Sequence, residues 1–162
     1  MSFRMSLLLA LALTACSKAE PPQPAHAGQA ATAQIVAPDA VRVDSMMVTQ
    51  PLTATPGDAT RGREYVASRS LGNCLACHRI SALDEEPFHG DVGPSLDGAG
   101  TRWQEGHLRA LVVNAKSFFP NTVMPAYYRT SGLNRVREDV AGQPILQAQQ
   151  VEDVIAFLKT LK

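Results

Sequence analysis

This 162-residue sequence predicts an all-α domain preceded by an N-terminal extension. Three observations predict it. Apolar residues recur at helical spacing at both ends of the C-terminal part and once between. No stretch alternates apolar and polar residues as a half-buried strand does. The segments joining the periodic stretches are long and rich in Gly, Pro and Asp, and such loops in a small domain need something to pack around. Hydrophobic content is an ordinary 45%, but aromatic content is only 6%, so the side chains supply a thin core. A large apolar cofactor would add the missing volume. The 15 basic and 15 acidic residues cancel, and no Lys/Arg cluster is present to track a nucleic-acid backbone.

The chain opens on MSFRMSLLLALALTAC. Arg4 precedes an apolar run from Met5 to Ala15, which is too short to span a bilayer and matches the core of a signal peptide. Leu13-Thr14-Ala15-Cys16 resembles the lipobox of bacterial lipoproteins. On that resemblance residues 1–15 are removed and Cys16 is lipidated, giving a stable anchor in the cell envelope, facing the periplasm. The alternative is plain secretion with cleavage further on. Cys74 and Cys77 are then the only free cysteines, so no disulfide framework is available.

Residues 17–34, with three prolines and no aromatic, cannot bury enough apolar surface to offset ordering and read as a tether. Val41, Val43 and Met46-Met47-Val48, among Pro38, Pro51 and Pro56, suggest an extended arm lying on the domain. Tether and arm occupy residues 16–50, and the domain residues 51–162. A first helix starts at a capping Asp58 or Thr60 and ends near Gly72. Ser81 to Gly100 reads as loop. Leu108, Leu111 and Val112 define a short amphipathic helix within Trp103 to Asn114. Phe118 to Pro144 is again mostly loop. In AQQVEDVIAFLKTLK, Val151, Val154, Ile155, Leu158 and Leu161 share one helical face, with Lys159 and Lys162 placed to complement the dipole.

The motif that carries chemistry is Cys74-x-x-Cys77-His78. Zinc would need two more ligands, but His26, His89 and His107 are scattered and form no second pair. A thioredoxin-like redox pair needs a preceding strand and a βαβ setting, and leaves the histidine unexplained. Covalent haem explains all three residues: two thiols add to two vinyl groups, and His78 beside them ligates the iron. One motif means one haem c. Whatever occupies the iron's second face separates an electron carrier from an oxygen-handling enzyme. Met1 and Met5 leave with the signal, and Met46 and Met47 read as gap-filling core. Met124 lies in a proline-flanked loop after the central helix. Arg102 and Trp103 could reach haem propionates, or be a solvated arginine and a core indole. Asp84, Glu85 and Glu86 read as a solvated loop, and His107 as a surface residue.

These phrases together resemble a known family. PGDATRGREY, GNCLACHRI, DVGPSLDGAGTRW, LRALVVNAKSFFPNTVMPAYYRTSGLNRV and AGQPILQAQQVEDVIAFLKTLK are similar to SoxX, the monohaem cytochrome c subunit of the SoxAX complex of bacterial thiosulfate oxidation. The resemblance covers about residues 51–162. It implies a class I cytochrome c fold, about three to five helices around one covalent haem, here with an N-terminal extension. It implies Met124 as the second axial ligand opposite His78, a pairing that raises the potential and closes the iron. It also implies that the Pro94 carbonyl accepts the N–H of the ligating imidazole and orients it. The partners implied are SoxA, a SoxYZ carrier and a small acceptor cytochrome. The role implied is electron transfer in an oxidative L-cysteine S-thiosulfotransferase whose conjugation chemistry sits on SoxA. Thiosulfate is coupled there to a SoxYZ cysteine, and two electrons are released. The apparent lipobox departs from the soluble form, and a general tethered cytochrome feeding a terminal oxidase is the alternative.

Overall fold

The computed structural model describes residues 34–162, within a compact unit that spans residues 31–162. The signal segment, Cys16 and nearly all of the tether lie outside the described residues. Within them are four α-helices: α1 Ala59–Ala67, α2 Ala99–Arg102, α3 Glu105–Asn114 and α4 Ala148–Leu158. Short 3-10 turns punctuate the loops, and the one β-bridge described pairs Asp44 with Met47.

Helix α4 is the centre of the domain. Val151, Val154, Ile155, Leu158 and Leu161 are all buried, as their spacing predicts. Its start is set by a reciprocal capping box between Gln147 and Gln150. Lys159 stands just past the helix as its C-cap and reaches the Glu105 carboxylate, so it bridges α4 to α3 rather than lying in the last turn. Lys162 lies beyond the helix altogether.

Helix α1 packs chiefly on α4. Asp58, the first of the two predicted caps, accepts the N–H groups of Thr60 at 2.8 Å and Arg61 at 3.1 Å. The helix stops at Ala67, short of Gly72, because Ser68 is extended and the chain turns toward the cysteines. At the crossing, a Cβ on Gly62 would lie 1.9 Å from the Asp153 carbonyl oxygen, so only glycine permits this approach. The Asp153 side chain completes the joint: it accepts from the Asp58 N–H, from Arg61 and from Gln149. Burial opposes its charge, but these donors outweigh that effect and hold its carboxyl below the usual range.

The central helix begins at Glu105, because Trp103 ends the separate α2 in extended conformation. That four-residue helix falls partly in the stretch expected to be loop. Gly100 donates to the Leu161 carbonyl and so ties α2 to the C-terminus.

The arm is part of the core. Val41 and Val48 are buried, and Val36 donates to the carbonyl of buried Leu52 at the start of the domain. Arg109 of α3, 2% exposed, donates to the Val48 carbonyl and forms two hydrogen bonds with Glu152 of α4. Glu152 in turn accepts the Leu52 N–H at 2.8 Å. Met46 departs from the expected core role: it is 52% exposed at the tip of the Asp44–Met47 turn, with Ser45 and Met46 both at positive φ. Met47 is half-buried against Gly106 of α3.

Candidate functional site: a cavity lined by the CxxCH turn and the methionine loop

After α1 the chain passes through Asn73 in left-handed conformation (φ 49°) and enters a 3-10 turn at Cys74–Ala76. Both Cys77 and His78 donate backbone N–H groups to the Cys74 carbonyl, at 3.1 and 2.9 Å. That tight turn converts the spacing of the motif into proximity, and both thiols and the imidazole line one cavity of about 610 Å³. The segment after it folds back over the turn: Gly90 donates to Leu75, Gly93 to Cys77 and Leu96 to Arg79.

His78 is fixed by this strap. Its Nδ1 lies 2.7 Å from the Pro94 carbonyl oxygen, which can accept its N–H and leaves Nε2 as a ligating atom. Gly93 lies so close to the ring that a Cβ there would be 2.3 Å from Cε1 and 2.6 Å from Nδ1. The strap and the imidazole are shaped to one another. Burial pushes the Cys74 thiol up to about 11, against a hydrogen bond with Tyr127, and the Tyr127 hydroxyl is itself pushed up by burial. Both groups are neutral near pH 7.

The second half of the chain closes the cavity. Leu108 and Val112 of α3 and Val154 and Leu158 of α4 supply apolar wall. Met124, half-buried, lines the same space. Its loop is tied down by Tyr127 and Tyr128, which donate to the carbonyls of Val112 and Val113. All seven residues singled out in the sequence, Cys74, Cys77, His78, Pro94, Arg102, Trp103 and Met124, border this cavity. Met46 and Met47 do not.

Arg102 and Trp103 also have defined neighbours. Arg102 donates through Nη1 to the Asp97 carbonyl and through Nη2 to the Ser95 carbonyl at 3.1 Å, so it braces the strap that carries Pro94. Trp103 is half-buried in an aromatic cluster, 5.9 Å from the His107 ring and 6.1 Å from that of Phe118. His107 is thus packed rather than free on the surface. His89 is occupied too, with Nδ1 accepting from Ile80 N–H and Nε2 facing the Leu83 carbonyl.

Sequence reasoning gave no role to Tyr127, and for Gly93 the resemblance implied only that the Gly93-Pro94 pair packs on the proximal side. Gly93 matters for the ring it meets, fifteen positions earlier. Tyr127 lines the same cavity as Cys74.

An apolar cavity with two thiols and an oriented imidazole fits a covalent haem. The family model for cytochrome c matches residues 59–162. The chain belongs to the cytochrome c family. Among solved structures, a chain in the crystal structure of SoxXA from P. pantotrophus is 45% identical, with a TM-score of 0.73. The match covers 78% of this chain and 97% of that one. No curated protein matches the sequence. The cytochrome c family implies one covalently bound haem c, and the all-helical described domain agrees with the class I fold. Identity of this order over nearly all of the solved chain bears out the resemblance to SoxX, a monohaem electron-transfer cytochrome. Among the described residues no helix is long and apolar enough to cross a membrane.

Proposed function

We propose that this cytochrome is the electron-transfer subunit of a periplasmic SoxAX-type L-cysteine S-thiosulfotransferase. The observation that carries the reading is the 45% identity to a chain of SoxXA over 97% of that chain, together with the gathering of Cys74, Cys77, His78 and Met124 on one cavity. When bound, the haem supplies a one-electron couple at its iron. Cys74 and Cys77 would hold it through two thioether bonds. His78 and Met124 would ligate its iron, a pair that would leave no position open to oxygen and other small molecules. The Pro94 carbonyl keeps the His78 ring in the tautomer and rotation that ligation needs. Arg102 and Trp103 sit at the cavity border, where their remaining N–H donors can meet carboxylates at the macrocycle's edge.

Coupling thiosulfate to a carrier thiol forms a sulfur–sulfur bond and releases two electrons and the thiol proton. The conjugation belongs to a SoxA partner and the thiol to a SoxYZ-type carrier. This chain takes the electrons one at a time and passes them to a small acceptor cytochrome. Exposed Val92, Phe119 and Val123 border the cavity and offer an apolar rim against which partners can dock. Lipidation of Cys16 would tether the complex to the envelope at the end of residues 17–34.

The test is the reduced-haem absorbance of the holoprotein, mixed with SoxA and SoxYZ, before and after addition of thiosulfate. Reduction that requires all three proteins is expected. Its absence, from fully loaded haem and active partners, would leave an electron carrier with no part in thiosulfate chemistry.

A further inference from the structure

The loop that presents Met124 has little packing of its own. Asn121, Val123 and Pro125 are exposed, Val123 by 80%. Two local ties shape it: Thr122 N–H donates to the Phe119 carbonyl at 2.9 Å, and Met124 N–H to the Thr122 hydroxyl at 3.1 Å. Among the described residues, one side chain hydrogen-bonds to it from outside. The Lys116 ammonium donates to the Thr122 carbonyl at 3.2 Å and to the Met124 carbonyl at 3.1 Å, so it clasps the backbone on both sides of Val123. Lys116 is held in turn by the 3-10 helix Ala115–Ser117, where its own N–H donates to the Asn114 carboxamide oxygen.

We propose that Lys116 is a positioning residue for the Met124 thioether. The inference rests on the reading of Met124 as an iron ligand. An ammonium has three donors and no acceptor, so one cation can satisfy two carbonyls at once. Bonds from a charged donor are stronger than neutral ones, although solvent weakens them at an exposed site. The carbonyl of Met124 is fixed at the residue whose side chain must reach into the cavity. Removing the clasp frees the peptide units on either side of Val123, and the thioether then leaves the iron more often. Fold and haem attachment depend on other contacts.

The experiment uses oxidised holoprotein and saturating imidazole, which enters the iron's coordination sphere only when the thioether has left. The limiting rate of imidazole binding is expected to rise about tenfold in Lys116→Ala, the factor that corresponds to one charge-assisted hydrogen bond. Lys116→Arg, which retains a charged donor, should restore most of the wild-type rate. A purely structural lysine would lower the unfolding midpoint and leave the limiting rate unchanged, and that result would overturn the proposal. A wild type that lacks the near-infrared methionine–iron band would instead overturn the ligand assignment, and this inference with it.

Discussion

His78 meets two neighbours that set its ring: the Pro94 carbonyl at 2.7 Å from Nδ1, and Gly93, whose missing Cβ would lie 2.3 Å from Cε1. A methyl at position 93 therefore forces either the ring or the strap to move. We expect Gly93→Ala to lengthen the bond to Pro94, making the imidazole a less basic ligand and destabilising the oxidised iron. The reduction potential should rise by roughly 40 mV, the one-electron equivalent of about 1 kcal/mol. Overpacking should also lower stability by about 1–3 kcal/mol. Redox titration with denaturant unfolding checks both, and unchanged values would contradict the fit described. Cys74, Cys77 and His78 were legible in the sequence because their chemistry is written in adjacent spacing. Pro94 was legible only through a resemblance, since its partner lies sixteen residues earlier. Gly93 and Lys116 act through space, and no local pattern encodes what they touch.

Among the elements, α4 was the most legible, because an eleven-residue helix with a continuous apolar stripe writes its period into the sequence. Helix α2 was not, since four residues are too few to show a period. The capping Asp58 was readable, whereas Asp153 lies off the apolar stripe of α4, on the side that meets α1, and its spacing gives no sign of its burial. The same holds for Glu152, which looks like a solvent-facing residue until Arg109 and the Leu52 N–H are seen against it. Burial opposes the charge on Arg109, but the Glu152 carboxylate outweighs it and raises its proton affinity. This pair joins α3, α4 and the arm. Glu152→Gln removes the charge and leaves a guanidinium that is 2% exposed without its main counterion. Breaking such a buried pair from one side should cost about 3–5 kcal/mol in denaturant unfolding of the holoprotein. Arg109 also donates to Glu105 at 2.7 Å, and a loss under about 1 kcal/mol would mean that Glu105 and the Val48 carbonyl suffice for it.

At the scale of the whole molecule, α2, α3, α4 and the long loops converge on one cavity, while the arm and α1 contribute no residue to its lining. The loops that looked too long for the domain are the ones that line it: residues 92–96 carry Pro94, and residues 122–125 carry Met124. The arm was visible as an extended segment, but its place in the core was not: Val48 is buried and its carbonyl accepts from Arg109, whereas Met46, two residues earlier, is exposed. Fold class followed from periodicity and from the absence of strands. The contents of the cavity followed from five residues, Cys74 to His78. Whether this cavity holds one covalent haem with its iron closed by His78 and Met124 is read from the near-infrared absorption of the oxidised holoprotein, wild type beside Met124→Ala. A methionine–iron band is expected in the wild type and lost in the variant, with the haem still covalently attached. A wild type without that band, or a variant that keeps it, would contradict this ligation.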